Sequence, residues 1–298
     1  MAVCWLNGEL VPKEKACVSL YDHGLLYGDG VFEGIRFYNG RAFLLHQHLR
    51  RLFHSATAMM LNIPFSHEEL TQAIDDTIAA YGEANGYIRL VVTRGEGLLG
   101  VDPQFCAAPT VFIIADSLQM MSQSTRDNGI RAVIVSTRRV PNESWDARIK
   151  SLNYLNNVLA RLQARNAHAD EAILLNQAGN VAEGALNNVF VVRNNELFTP
   201  PTSDGALQGV TREVILQLAH ENGIQAEPRS LTPYDLYTAD ECFLTGTGIE
   251  LVAVREVDGR PLGACPGPVF GCIQNLFHNF IASNTAVLSH TEHHAMEG

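Results

Sequence analysis

Along the first 115 residues the apolar positions change period several times, and each change predicts an element. "VCWLNGELV" and "GVFEGIRFYNGRAFLL" read as strand pieces, and Asn39-Gly40 in the second is a strong hairpin signal between two strand runs. In "HQHLRRLFHSATAMML" the apolar residues Leu49, Leu52, Phe53 and Ala56 fall at a helical period. A second helix is better marked. Ser66 and Glu69 have the spacing of a capping box, Phe65 can staple onto Leu70 across it, and Leu70, Ile74 and Ile78 form one stripe. Two more strands follow in "YIRLVVTRG" and "PTVFIIAD". Residues 1–115 therefore predict a small α+β domain, helices packed on a largely antiparallel sheet.

From Asp116 to Asn128 the chain reads "DSLQMMSQSTRDN", polar and without period, which predicts an interdomain linker at 116–128. Strand pattern restarts at "IRAVIVST". Tyr154, Leu155, Val158, Leu159 and Leu162 space a helical stripe, and "EAILLN" and "NNVFVV" read as strands on either side of a turn, "QAGNVAEGA". "GVTREVILQLAHENG" reads as a helix stopped by Gly223, and "ECFLTGTGIELVAV" as strand, Gly/Thr-rich turn and strand. Residues 129–298 are expected to form a second, larger domain, again sheet with packed helices. No internal repeat is visible.

Composition removes several function classes. A chain of 298 residues with 46% hydrophobic and 18% charged positions is globular in balance and long enough for two domains. A formal charge of −11 argues against nucleic acid or an anionic membrane as partner. The longest apolar runs are of strand length, far short of the roughly 20 residues of a membrane span, and the first residues, "MAVCWLNGELVPKEKA", contain no signal-peptide run. Six scattered cysteines without a CxxC pair read as reduced thiols, so no metal centre is expected and the compartment expected is the cytoplasm. The closing "HTEHHAMEG" reads as a frayed tail rather than a metal site.

One imbalance raises a chemical question. The lysines are Lys13, Lys15 and Lys150, against 18 arginines. Lys13 and Lys15 share a charged turn, "VPKEKA", but Lys150 stands alone in "ARIKSLNYL", just before a helical stripe. Only lysine condenses with an aldehyde to an imine, whereas arginine stays protonated; base composition alone would also leave a chain poor in lysine. An imine-forming lysine working with a phosphorylated aldehyde cofactor needs a phosphate cradle, an anion for the ring nitrogen and groups for a substrate carboxylate. "LQGVTRE" puts Gly209, Val210 and Thr211 at a helix start, and "LTGTGIE" puts Thr245, Gly246, Thr247 and Gly248 in a turn, both suited to phosphate. Arg51 on the first long helix can bring a bidentate charge, and Glu183 in "VAEGALNNVF" can face the ring nitrogen. Taken singly, these are also an ordinary connection, a surface arginine and a solvated turn glutamate.

Together the segments resemble a fold-type IV pyridoxal-phosphate enzyme, and most closely a branched-chain-amino-acid aminotransferase. "YGDGVFEGIR", "HLRRLFHSA", "YIRLVVTRGEGLLGV", "RIKSLNYLNNVLA", "VAEGALNNVF", "LQGVTREVI" and "LTGTGIEL" occur in the family's order, and the likeness runs from "WLNGELV" to "VREVDG". It implies a small N-terminal α/β domain and a larger C-terminal pseudo-barrel domain. It implies that Lys150 is the catalytic, imine-forming lysine of pyridoxal 5′-phosphate, that Glu183 meets the ring nitrogen and Tyr154 the ring's phenolate oxygen, and that Arg51, Val210, Thr211 and Thr247 hold the phosphate. Substrate would be bound by Tyr27, Phe32, Gly34, Arg36, Tyr87, Arg89, Thr247 and Gly248. Leu99, Gly100 and Val101 would reach a neighbouring subunit's site, which implies a homodimer or a higher homo-oligomer. The activity implied is ping-pong transfer of the amino group between Leu, Ile or Val and 2-oxoglutarate or another 2-oxo acid.

Three departures from the family pattern stand beside that likeness. "KSLNY" is one residue shorter than in the best-known bacterial members and matches the D-amino-acid aminotransferase spacing; Gly248 and Ile249 replace two small residues; and the linker offers Leu118, Met120 and Met121 where some members carry tryptophan. The alternatives are a D-amino-acid or (R)-amine transaminase, an aminodeoxychorismate-type lyase, and a binding protein that kept the fold without the activity.

Overall fold

The computed structural model describes residues 3–118 and 122–286. Met120, Met121 and the His-rich tail lie outside the described residues. The chain begins with a hairpin, β1 (Val3–Leu6) and β2 (Glu9–Pro12), followed by a short helix α1 (His23–Tyr27) and the hairpin β3 (Gly30–Tyr38) to β4 (Arg41–Ala42). Asn39 and Gly40 both take positive φ, 52° and 73°, as the tight turn between β3 and β4 requires. Helices α2 (Leu45–Ala58) and α3 (His67–Tyr81) come next, then β5 (Gly86–Thr93) and β6 (Thr110–Asp116). The six strands form one antiparallel sheet in the order β2-β1-β6-β5-β3-β4. Its core face packs on α2 and α3 through Ile35, Leu52, Leu70, Ile74 and Leu90, each no more than 1% exposed. The capping box is present: Ser66 Oγ accepts from Glu69 N, and Glu69 Oε2 accepts from Ser66 N.

The segment expected to be an interdomain linker carries a short helix. Ser122 caps the helix α4 (Gln123–Asn128) by accepting from Thr125 N, a local hydroxyl–amide bond that compensates for the missing apolar period. Beyond it lie β7 (Ile130–Ile134), α5 (Leu155–Asn166), β8 (Glu171–Leu175), β9 (Val181–Gly184), β10 (Asn188–Arg193), β11 (Glu196–Thr199) and α6 (Val210–Glu221). The chain continues through β12 (Ala226–Pro228), α7 (Pro233–Tyr237), β13 (Glu241–Gly246), β14 (Glu250–Val257), β15 (Arg260–Pro261) and α8 (Pro268–Thr285). These nine strands form a second sheet, β12-β11-β10-β13-β14-β7-β8-β9 with β15 on β14. Its pairs β7·β8, β7·β14 and β11·β12 are parallel and the rest antiparallel. Helix α8 covers it with Phe270, Ile273 and Phe277, each worth about 1.5–3 kcal/mol relative to exposure.

Two sequence readings change here. The turn "QAGNVAEGA" is shorter than expected: it closes over Asn176–Gly179, and Val181–Gly184 already pair with β8 as β9. Glu183 is thus a strand residue, 6% exposed, and not a solvated turn glutamate. The stripe on α5 is helical, but Leu155 (69%), Val158 (51%) and Leu162 (49%) face outward while Ala160 and Ala164 pack inward with Ala172 and Leu174 of β8.

Candidate active site

A cavity of about 580 Å³ lies between the sheets, and Lys150 lines it. The backbone around Lys150 is fixed from both neighbours. Lys150 C=O accepts from Phe32 N (3.1 Å), Leu152 N donates to Gly30 O (2.9 Å), and Lys150 N donates to Ser55 Oγ of α2 (3.1 Å). The lysine therefore rides on an extended segment stitched to β3, directly before α5. Tyr154 occupies the N-cap of α5, and its hydroxyl lies 3.1 Å from Lys150 Nζ. The ring of Phe32 packs edge-on to Tyr154 at 5.0 Å and lies 4.5 Å under the ammonium.

At one end the cavity is built for an anion. Gly209 caps α6 without any side-chain acceptor, which leaves the first amides of this 12-residue helix open, and Gly209, Val210 and Thr211 line the cavity. A Cβ at Gly209 would stand 2.0 Å from Asn188 Oδ1, so only glycine permits this close turn. Thr245 Oγ1 is buried here without a hydrogen-bond partner, and Gly246 and Thr247 complete the wall. Arg51 reaches this end from α2, donating from Nη1 to Gln208 O at 2.9 Å.

Arg51 is held by a group that sequence reasoning did not single out. Glu33 points from β3 to the helix side of the sheet and is fully buried; it accepts from Arg51 Nε and Nη2, both at 2.7 Å, and from His48 Nδ1 at 2.8 Å. Burial would raise the Glu33 carboxyl, but the Arg51 guanidinium and then His48 overcome it and hold the group well below the usual carboxylate range. Burial pushes the His48 imidazole down against the opposing pull of the Glu33 carboxylate, and Arg51 and Lys150 add to the lowering.

At the other end Glu183 lines the cavity, and its carboxylate accepts from Leu207 N at 2.9 Å and faces Arg139 Nη2 at 3.0 Å. Arg139 was also unforeseen; it follows another arginine, Arg138, and nothing local marks its contact with Glu183. The strand pair β3·β5 supplies the remaining wall. Phe32 pairs with Val91, Gly34 with Arg89 and Arg36 with Tyr87, so these residues share one face of the sheet. Gly34 is required there, because a Cβ would stand 1.8 Å from Tyr87 Oη. Burial raises the Tyr87 phenol, which keeps its proton available for donation to a carboxylate.

Of the residues expected at the site, Lys150, Arg51, Tyr154, Glu183, Val210, Thr211, Thr247, Phe32, Gly34, Tyr87, Arg89 and Gly248 all line this one cavity. Arg36 does not. Its Nη2 lies 3.6 Å from Glu250 Oε1, an oxygen that also accepts from Tyr38 Oη, and it borders a separate small gap behind Thr211 and Thr247. Tyr27, Leu99, Gly100 and Val101 stand apart as well: Gly100 N donates to Tyr27 Oη at 2.9 Å, and Leu99 and Val101 are 75% and 77% exposed.

An amine beside a phenol, a deep carboxylate and an uncapped helix end in one cavity make a site whose residues fit pyridoxal 5′-phosphate. Residues 30–257 match the family model for amino-transferase class IV, and the chain belongs to that family. A protein of Methanocaldococcus jannaschii, provisionally named a branched-chain-amino-acid aminotransferase, is 49% identical over 86% of this chain and 88% of its own. The D-alanine aminotransferase of Bacillus licheniformis is 35% identical over 94% of this chain and 97% of its own. Among solved structures, the branched-chain aminotransferase of the thermophilic archaeon Thermoproteus uzoniensis with norvaline superposes with a TM-score of 0.89 at 36% identity, covering 96% of this chain and 97% of that one. The branched-chain amino acid aminotransferase of Thermobaculum terrenum in its PLP-bound holo form gives a TM-score of 0.85 at 29% identity, covering 95% of this chain and 94% of that one.

Proposed function

We propose that this protein is a pyridoxal 5′-phosphate-dependent transaminase that moves the amino group between the branched-chain L-amino acids leucine, isoleucine and valine and 2-oxoglutarate or another 2-oxo acid. The observation that carries the reading is the wall facing Lys150. Phe32, Val91, Leu118, Leu152 and Ile249 give it apolar surface, and Tyr87, Arg89 and Thr247 give it polar groups, the combination a substrate with an apolar side chain and one carboxylate needs.

When bound, the cofactor supplies an electrophilic carbon and a conjugated ring that accepts the electrons of a breaking C–H bond. The chain supplies the rest. Lys150 Nζ removes the proton from the substrate Cα, with the Tyr154 hydroxyl at 3.1 Å keeping it aimed. Glu183 keeps a negative charge at the far end of the cavity, fixed by the Leu207 amide and Arg139. The Tyr87 hydroxyl and the Thr247–Gly248 backbone orient the α-carboxylate, with Arg89 beside them. Phe32 and Leu152 keep water away from the reacting amine.

The active form is a homodimer or a higher homo-oligomer, with domains of 1–115 and 129–298 joined by 116–128. Leu155, Val158 and Leu162 on α5 and Leu99 and Val101 on the loop after β5 are exposed apolar groups that a second copy would cover. The partners are small amino and oxo acids, and the setting is cytoplasmic; among the described residues no helix is long and apolar enough to cross a membrane, and none of their acidic, His and Cys side chains cluster as a metal site.

The test is a single half-reaction. L-Leucine added to the holoenzyme should abolish the visible band of the bound cofactor within the turnover time, whereas D-alanine and (R)-phenylethylamine should leave it. A fast response to D-alanine with none to L-leucine would overturn the choice of substrate.

A further inference from the structure

A second cleft, of about 630 Å³, adjoins the cofactor cavity. One wall is the face of α2 that carries Gln47, Arg50 and His54, and another is the face of α6 that carries Val210, Glu213 and Gln217. Steps of three and four residues put each set on a single helical face. Asp146, Arg148 and Ile149, from the stretch leading into Lys150, complete the lining. Arg51 and Val210 line both cavities, so the cleft shares a wall with the end of the cofactor cavity that is built for an anion.

The charges in the cleft do not cancel by pairing. Both of its carboxylates are met by a neighbouring guanidinium, Asp146 by Arg148 at 2.6 Å and Glu213 by Arg212. Arg51 is held by Glu33. Arg50 and His54, one turn apart on α2, are exposed, and neither has a carboxylate or hydrogen-bond partner among the described residues. On a chain of formal charge −11 this is a local positive site, and the positive end of the α6 dipole adds to it.

A phosphate monoester matches these groups. It brings close to two negative charges at neutral pH and oxygens that fit the guanidinium fork. Ile149 and Val214 give the same cleft apolar surface for whatever the phosphate carries. We propose that the cleft between α2 and α6 is a second anion site, which binds a phosphate monoester through Arg50 and His54 beside the wall it shares with the cofactor cavity. Inorganic phosphate and the phosphate of a second, free molecule of cofactor have the same chemistry here. The proposal goes beyond the transaminase reading, and the amino acid that the enzyme takes has no bearing on it.

The experiment uses holoenzyme whose cofactor has been fixed by borohydride, so that the first site stays filled. It is titrated calorimetrically, at constant ionic strength, with inorganic phosphate, with pyridoxamine 5′-phosphate and with pyridoxamine. Both phosphates should bind at one per chain, and pyridoxamine should give no heat. Replacing Arg50→Gln and His54→Gln together should weaken phosphate roughly tenfold or more, the loss of a charge-assisted contact, and Arg50→Lys should keep part of the affinity. Turnover should stay at the wild-type value in each variant, because neither residue lines the cofactor cavity. Equal affinities for the two phosphates assign the site to inorganic phosphate, and a tenfold preference for pyridoxamine 5′-phosphate assigns it to free cofactor. A wild-type chain that takes up no second phosphate overturns the proposal, and so does a second phosphate whose affinity the double variant leaves unaltered.

Discussion

Replacing Glu33 with glutamine removes the carboxylate that holds Arg51 and leaves the rest of the cavity wall in place. The carboxylate is fully buried and accepts three short bonds, two from Arg51 at 2.7 Å and one from His48 at 2.8 Å. Removing one partner of a buried ion pair costs about 3–5 kcal/mol, because the other charge stays behind without compensation. For a chain of this size that corresponds to roughly 6–10 °C in Tm. The pH dependence follows from the sign of the shift. The folded Glu33 is held well below its unfolded value of 4.5, so its contribution is fully present above about pH 4.5 and is lost as pH falls toward the folded pKa. Thermal melts of wild-type and Glu33→Gln holoenzyme between pH 7 and pH 4 should therefore show their widest gap at the upper end and a narrowing gap at the lower end. A gap of a degree or less throughout, or one that widens as pH falls, would refute the assignment of Glu33 as the ionised clamp on Arg51.

Other residues carry their own tests. Glu183→Ala should retain the bound cofactor but lose turnover by roughly 10- to 100-fold, the worth of one charged contact to the ring nitrogen; near-full activity would sink that role. Gly34→Ala places a Cβ 1.8 Å from Tyr87 Oη, so the tyrosine must leave the wall, and kcat/KM for leucine should fall roughly 10-fold or more with the fold intact by circular dichroism. Leu159→Glu on the exposed face of α5 should lower the apparent mass in size-exclusion chromatography toward that of one chain; an unchanged mass would move the subunit interface elsewhere.

What could be read from the sequence was what is local. The capping box of Ser66 and Glu69, the Asn39-Gly40 turn, the Gly223 stop and the four-residue step from Lys150 to Tyr154 each depend on neighbours along the chain, and the structure contains each. The uncapped start of α6 was legible for the same reason: a glycine at a helix start announces free amides. The Glu33–His48–Arg51 cluster was not, since it joins β3 to α2 across the sheet, and neither was the pairing of Arg139 with the distant Glu183. On α5, periodicity located the apolar face but carried no information on what covers it, because Ala160 and Ala164 do the inward packing. Helix α8 was overlooked although Phe270, Ile273, Phe277 and Ile281 repeat at helical spacing after Pro268. Arg36 shows the reverse limit: it shares a strand face with Phe32 and Gly34, yet Glu250 holds it behind the cavity.

The central claim is that Lys150 is the residue that bonds the cofactor. The chain has only Lys13, Lys15 and Lys150, which makes the question decidable in one measurement. Holoenzyme reduced with borohydride, digested and analysed by mass spectrometry should carry the phosphopyridoxyl mass on the peptide containing Lys150 and on no other. The label on Lys13 or Lys15, or a chain that takes no label at all, would contradict the account.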